Sequence, residues 1–258
     1  MIRLVDRDFE IFNMLKLFGC LNTSQIVKYF DLNIKVMQRR LRKLSSVGYL
    51  RSLPIPSTKP GRSQNLYYLG QKASELVETN DYKPRLNYRL SHQLQNSDIL
   101  LEIVHSLKET DLKYKVLPEH SIRATYHDTE IIPDCAFTIS REEKHALFYI
   151  ENCAGTEILS SPTLNNDIES KFIKYVEIFK SSEIGYYENF FENSFNRFRL
   201  LFIANSYQRM QAISELVKEH DCHGFIWLTH LTEFQKKGVL GNIWQIPALG
   251  KFNLSIVE

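Results

Sequence analysis

Asp134, Glu151 and a lysine downstream of them are the residues of this 258-residue chain whose types and spacing could do chemistry. Asp134 follows Pro133 in a segment, 131–139, that reads as a strand, and Glu151 closes the next predicted strand, 146–152. Carboxylates at adjacent strand ends can reach one divalent cation. Phosphodiester hydrolysis uses that geometry: oxygen ligands hold Mg²⁺, and a nearby lysine orients or polarises the attacking water. Lys171 and Lys174, on a helix predicted over 168–179, are candidates for that lysine. Glu102, on a helix predicted over 91–109, is a candidate further carboxylate.

The elements that must position these residues read as helix 91–109, strands 113–117, 131–139 and 146–152, helix 168–179, strand 198–204, helix 207–220 and strand 225–228. Phe198 to Ala204 is continuously apolar, apart from Arg199, as expected of a strand buried on both faces. The order αβββαβαβ predicts an α/β layer domain with a mixed sheet. Pro133-Asp134 on one strand and Glu151-Asn152-Cys153 on the next resemble the PD-(D/E)XK nuclease motif. The motif's lysine position is Cys153, whose thiol cannot do a lysine's work.

The first third of the chain has a different character. Asn33 can accept a bond from an orphan N–H of a following helix. From there Met37, Leu41, Leu44 and Gly48 recur at three- and four-residue steps and mark one buried face. Lys35, Gln38, Arg39, Arg42 and Lys43 lie on the other. Gly48 ends the helix in the left-handed position. Upstream, Asp6 to Phe18 reads as a helix capped by Asp6, and Thr23 is the expected cap of a short second helix. Downstream, Tyr49–Leu53 and Leu66–Leu69 read as two strands around a polar loop that carries Lys59 and Arg62, and 70–78 as a closing helix. Three helices and a two-stranded wing resemble the winged helix-turn-helix family, which implies that double-stranded DNA is read in the major groove. Gln38 and Arg39 are the expected base-edge readers, because Gln pairs with adenine and Arg with guanine through two bonds each. Lys35, Arg42, Lys43, Lys59 and Arg62 complete the expected DNA-binding set, those on the helix and wing suiting phosphates. Arg40 either joins them or tucks against acidic groups of the chain itself.

Charge supports the division. Residues 1–90 hold 16 Lys and Arg against 7 Asp and Glu, a net +9. The remainder holds 16 against 23, a net −7, so the chain's +2 conceals a basic portion and an acidic one. The expected organisation is a winged helix over 1–80, a polar linker over 81–90 and an α/β nuclease-like domain over 91–258. No apolar run approaches a membrane span, and Asp6, Arg7, Asp8 and Glu10 break any signal-peptide pattern. A cytoplasmic protein is expected. Cys20, Cys135, Cys153 and Cys222 form no C-x-x-C pair, so neither zinc nor a disulfide framework is suggested. His220-Asp221-Cys222-His223 reads as a polar turn rather than a metal cluster. The aromatic run 186–195 reads as a packed loop or a partner contact. There is no phosphate-binding G-x-x-x-x-G-K-[ST] loop.

Taken together, the winged helix, SHQLQNSDILLEI, IIPDCAFTI, LFYIENCAGTE, the helix with Lys171 and Tyr175, and RLLFIANSYQRM resemble the replication-relaxation family, which includes MobC-like mobilisation accessories. His92, Pro133, Asp134, Glu151, Gly155, Thr156 and Glu157 carry most of that likeness. Family members usually have an acidic and a basic residue where this chain has Cys153 and Ala154. The resemblance implies a DNA-binding protein of a plasmid or mobile element, acting in replication, DNA relaxation or mobilisation. Its second domain would be an inactive nuclease fold for dimerisation or for contact with a relaxase or replication initiator. No cofactor is then expected. The alternatives are a nuclease using Asp134, Glu151 and Mg²⁺, and a winged-helix transcriptional regulator.

Overall fold

The computed structural model of the chain describes residues 2–55, 64–80, 82–84, 88–125, 132–155, 157–161, 167–181, 187–220 and 224–249. It divides into two units, Met1–Leu101 and Glu102–Glu258. The division falls inside helix α5 (Tyr88–Lys108), so the first turns of that helix belong with the basic unit.

In the first unit, α1 (Asp6–Phe18), β1 (Cys20–Asn22), α2 (Thr23–Phe30), α3 (Ile34–Ser46), β2 (Leu50–Ile55), β3 (Gln64–Leu69) and α4 (Gln71–Leu76) form a winged helix. Its sheet runs β1-β3-β2 and is antiparallel throughout. The caps differ from expectation at two places. Val5, not Asp6, precedes α1, and its N–H donates to Asp8 Oδ2 at 2.9 Å. Asn22, not Thr23, caps α2: Gln25 N–H donates to its Oδ1 and Asn22 N–H donates to Gln25 Oε1, both at 2.9 Å. A reciprocal Asn–Gln pair satisfies two orphan donors where a threonine cap satisfies one. Asn33 caps α3 as expected, accepting from Lys35 N–H at 2.9 Å.

Helix α3 ends by the expected glycine device. Gly48 has φ +85°, its N–H bonds Ser45 O, and Tyr49 N–H bonds Leu44 O, which makes a Schellman motif. Tyr49 then stacks on Phe12 with ring centroids 5.7 Å apart, tying the start of the wing to α1. Met37, Leu41 and Leu44 are buried with Ile11, Phe12, Leu15 and Phe18 in the basic unit's core. Gln25 Nε2 also donates to Leu94 O at 2.8 Å and to Asp98 Oδ1 at 2.9 Å, which fixes the first turns of α5 to α2.

The second unit is built on a five-stranded sheet ordered β4-β5-β6-β7-β8. The strands are β4 (Lys113–Pro118), β5 (Cys135–Arg141), β6 (Lys144–Cys153), β7 (Phe198–Ala204) and β8 (Ile226–His230). Strands β4, β5 and β6 pair antiparallel, while β6, β7 and β8 pair parallel. This mixed sheet is the fold class expected of a nuclease-like domain. Helices α6 (Glu119–Thr125), α7 (Ile168–Ser181), α8 (Glu188–Phe191), α9 (Tyr207–Glu219) and α10 (Leu231–Lys237) complete it. Strand β5 begins at Cys135 rather than at 131, so Asp134 stands immediately before it. The aromatic run is core: Tyr187, Phe191 and Phe195 are buried in the cluster that holds Tyr149, Phe172, Tyr175 and Phe198. Among the described residues no helix is long and apolar enough to cross a membrane.

Arg40 is the test of how α3 is held. Its Nε donates to Asp8 Oδ1 at 2.8 Å and its terminal nitrogen bonds Oδ2, while Asp8 is 0% exposed. Removing one partner of a buried ion pair strands the other without solvation, at a cost of about 3–5 kcal/mol. Arg40→Ala is expected to lower the unfolding free energy by about that amount in urea titrations, and Lys43→Ala, on the exposed face, by under about 0.5 kcal/mol.

Candidate functional site

Two separate constellations carry chemistry, one in each unit. The first is the exposed face of α3. Lys35, Arg39, Arg42 and Lys43 are exposed and Gln38 is half-exposed. Lys35, Gln38, Arg39 and Arg42 line one open groove of about 420 Å³. Arg42 Nε makes a long 3.3 Å bond to Gln38 O, which costs little to break. Arg40 leaves this set, because Asp8 holds it. Lys59 and Arg62 lie outside the described residues.

The second constellation sits where β5 begins and β6 ends. Asp134 N–H donates to Ile150 O at 3.0 Å, and Asn152 N–H donates to Asp134 Oδ2 at 2.8 Å. These bonds continue the β5–β6 ladder by one residue and set Asp134 beside Glu151. Side chains alternate along a strand, so Glu151 shares the face of Tyr149 and Cys153. On that face lies α7. Lys171 and Tyr175 are four residues apart and therefore neighbours on one side of the helix. Lys171 Nζ donates to Glu151 Oε2 at 2.8 Å, and Tyr175 Oη donates to Glu151 Oε1 at 2.6 Å. Lys174, the other candidate, is exposed. Of the two candidate lysines, Lys171 is the one set against Glu151.

Further residues unforeseen in this role surround the pair. Glu157 Oε1 lies 3.7 Å from Lys171 Nζ, and its Oε2 is buried without a hydrogen-bond partner among the described residues. The Glu157 carbonyl accepts from Arg209 of α9. Glu119 of α6 brings a carboxylate oxygen within 4.8 Å of one of Asp134. The loop after β6 is held by Asn205, whose amide donates to Ala154 O at 2.7 Å. Gly155, at φ +94°, packs so closely on that amide that a Cβ would collide with it. Thr156 lies outside the described residues. The signal for Tyr175 was its i, i+4 spacing from Lys171; short α6 left no such signal for Glu119.

The electrostatics follow from burial. The Lys171 ammonium is held above its ordinary value of 10.5, first by Glu151, against desolvation and with further help from Asp134. The Tyr175 phenol is pushed up by burial and by the Glu151 charge it faces. Cys153 is buried, and burial followed by Glu157 and Glu151 raises its thiol well above 9.0. A buried thiol raised in this way disfavours the thiolate that a nucleophile requires. Asp221, Cys222 and His223 lie outside the described residues, and His220 Nε2 contacts Glu169 Oε1 at 2.6 Å.

A hard divalent cation fits the chemistry of this donor set. Asp134 and Glu119 offer carboxylate oxygens within 4.8 Å of each other, Glu157 keeps a buried oxygen without a hydrogen-bond partner among the described residues, and both oxygens of Glu151 are already bonded by Lys171 and Tyr175.

Comparison with models of known families gives no match, and no curated protein matches the sequence. Among solved structures, a mutant of MarR from Escherichia coli aligns at 19% identity and a TM-score of 0.26, over 42% of this chain and 68% of its own. The same mutant complexed with operator DNA aligns with the same identity and TM-score, over 41% and 71%. Restriction endonuclease FokI aligns at 13% identity and a TM-score of 0.33, over 92% of this chain and 46% of FokI. This chain therefore spans under half of FokI.

The Glu151 cluster generates a pH expectation. Folding raises the Lys171 pKa, so the stability it contributes is whole below its ordinary value of 10.5 and is lost as pH rises beyond that. The unfolding free energies of wild type and Lys171→Met should differ by a constant amount between about pH 6 and 9 and converge in stronger alkali. Tyr175→Phe should cost about 1.5–3 kcal/mol, the worth of a hydrogen bond to a charged group. Denaturant titrations across pH check both.

Proposed function

We propose that this chain is a double-stranded-DNA-binding protein of a plasmid or mobile genetic element, with α3 as its reading helix. The observation that carries the reading is the sorting of cations on one helix. Arg40 is consumed by Asp8, whereas Lys35, Gln38, Arg39, Arg42 and Lys43 face outward without an acidic residue among them. Outward cations on a helix of a winged helix match the dense negative charge of a duplex. The likeness to the replication-relaxation family supports a role in replication, DNA relaxation or mobilisation. The acidic second unit then serves for dimerisation, or for contact with a relaxase or replication initiator. Regulation of transcription would use the same α3 contacts.

A second reading has its own support. Lys171 is bonded to Glu151 and is acted on by the charge of Asp134, which makes it the candidate for the lysine of a PD-(D/E)XK-like site. In that reading Asp134 and Glu151, helped by Glu119, hold a divalent ion, which supplies Lewis-acid stabilisation of a phosphodiester when bound. Lys171 carries a permanent positive charge at neutral pH and orients water or phosphate oxygen beside Glu151. Tyr175 fixes the Glu151 carboxylate from the buried side.

Two experiments separate the readings. Duplex-binding titrations should show that Gln38→Ala and Arg39→Ala relax sequence preference, by about 1–3 kcal/mol for each base pairing removed. Arg42→Ala and Lys43→Ala should weaken all duplexes alike and reduce the salt slope by about one each. Unchanged binding in all four variants refutes the first reading. Supercoiled plasmid incubated with the protein and Mg²⁺ or Mn²⁺, then deproteinised, tests the second. Nicked or linear product that vanishes with Asp134→Ala and with Lys171→Met establishes a nuclease; intact plasmid after a mobility shift leaves a binding protein.

A further inference from the structure

The first turn of α3 carries two side chains that its own core does not use. Ile34 and Val36 are 44% and 42% exposed, whereas Met37, Leu41 and Leu44 of the same helix are buried. The other large apolar residues exposed among the described residues of the basic unit, Val5, Phe9 and Leu76, lie at α1 or on α4. Ile and Val are also mediocre helix formers, because a branched Cβ loses rotamer freedom against the preceding turn. Single exposed apolar side chains are ordinary on any surface. Here two of them fall within three residues, on the helix whose other outward side chains are cationic.

Their neighbours on the helix are the candidate base readers. Ile34 lies four residues before Gln38, and Val36 lies three before Arg39, so each shares a side of the helix with one of them. Lys35 stands between the two, its N–H held by Asn33 Oδ1 at 2.9 Å. No acidic residue occurs from Ile34 to Ser46, and Lys35, Arg39, Arg42 and Lys43 are exposed. The surface around the apolar pair is therefore cationic and complements an anionic partner. A bilayer surface needs a whole apolar helix face, and the apolar face of α3 is already spent on the core. A duplex needs less. Reading helices meet base edges with their N-terminal residues, and Ile34, Lys35 and Val36 are the first three of α3.

The major groove presents one apolar group, the C5-methyl of thymine. A Gln38 that pairs with adenine has a thymine opposite that adenine, with its methyl in the same groove. A helix lying along the groove advances about 5.4 Å per turn, against about 3.4 Å per base pair. A residue one turn before Gln38 thus reaches a base pair one or two steps from the adenine. Uracil has no C5-methyl, and the deep, narrow major groove of A-form RNA keeps side chains out. Apolar groups at this position therefore suit DNA and not RNA.

We propose that Ile34 and Val36 are specificity-determining residues that pack on thymine C5-methyl groups, Ile34 beside the adenine read by Gln38 and Val36 beside the base read by Arg39. The proposal rests on the reading of α3 as the DNA-reading helix, and it adds that the target contains thymines flanking the bases that Gln38 and Arg39 contact.

The test uses the full-length protein and a duplex enriched from a random pool by repeated binding. Each thymine of that duplex is replaced in turn by deoxyuridine, which keeps the base pair and removes only the methyl. Titrations at one fixed salt concentration are expected to show about fourfold weaker binding at one or two positions, the worth of burying one methyl-sized group. At one such position the loss should vanish in Ile34→Ala, and at the other in Val36→Ala, so that variant and deoxyuridine are non-additive. Saturable binding that Arg39→Ala weakens, but that no deoxyuridine changes, overturns this proposal and leaves the DNA-reading helix standing. So does a deoxyuridine loss that persists at full size in both alanine variants, whether or not their oligomeric state has altered. Absence of saturable duplex binding overturns both.

Discussion

A carboxylate that is 2% exposed must be met by a positive charge or surrender its own, and Glu151 imposes that constraint on the second unit. It lies on the inner face of β6, between Tyr149 and Cys153, where neighbouring positions are apolar. Lys171 and Tyr175 answer it from α7, and together they bond both carboxylate oxygens. The match specifies more than stability. A shift of α7 by one turn would remove Lys171 from Glu151 and leave both charges in a poor solvent. The apolar residues Phe172 and Ile178 alone would tolerate such a slip better than the ion pair does. Burial, followed by Glu157 and Glu151, also raises the thiol of Cys153, the residue at the expected lysine position.

The basic unit solves an equivalent problem with opposite roles. There Asp8 is the buried carboxylate, and Arg40 reaches it from α3. The pair fixes the rotation of α3 about its own axis, since Met37, Leu41 and Leu44 face the core while Arg40 points at α1. With the rotation fixed, Gln38, Arg39 and Arg42 have nowhere to turn but outward. An internal ion pair thereby determines which cations remain available for a partner.

Much of this is readable from residue order. Helices α1 and α3 and strand β7 fall where their periodicity places them, because each has a long apolar pattern and a sharp end such as Gly19 or Gly48. Short elements are not readable. β1 spans three residues and gains its identity from pairing with β3 across the chain, not from its own sequence. Helices α6 and α10 have seven residues each, too few to show a face. The Asn22 cap is hidden by Thr23 beside it, an equally good capper on local grounds; Gln25, three residues on, is the decisive signal. The carboxylates of the candidate site are legible from Pro133-Asp134 and Glu151. The choice of Lys171 over Lys174 is not, because helix surfaces carry lysines by default, and the selection depends on which of them faces β6. Arg199 is obscured for the opposite reason. A continuous apolar run identifies the strand, and one charged residue inside it does not disturb the pattern enough to declare itself.

The polarity of the parallel strands explains why acids and arginines keep apart. Strands β6, β7 and β8 run in one direction, so all three starts lie at one end of the sheet and all three finishes at the other. Arg197 and Arg199 enter at the starts, while Glu151 sits near a finish. Arg199 pairs with Phe148, three residues and so about 10 Å along β6 from Glu151. Glu151 is answered instead by the lysine of α7. Packing alone would not require this segregation. A leucine in place of Arg199 would suit β7 between Phe148 and Trp227 at lower desolvation cost; the guanidinium is held there by the two ring faces, which offset part of that cost.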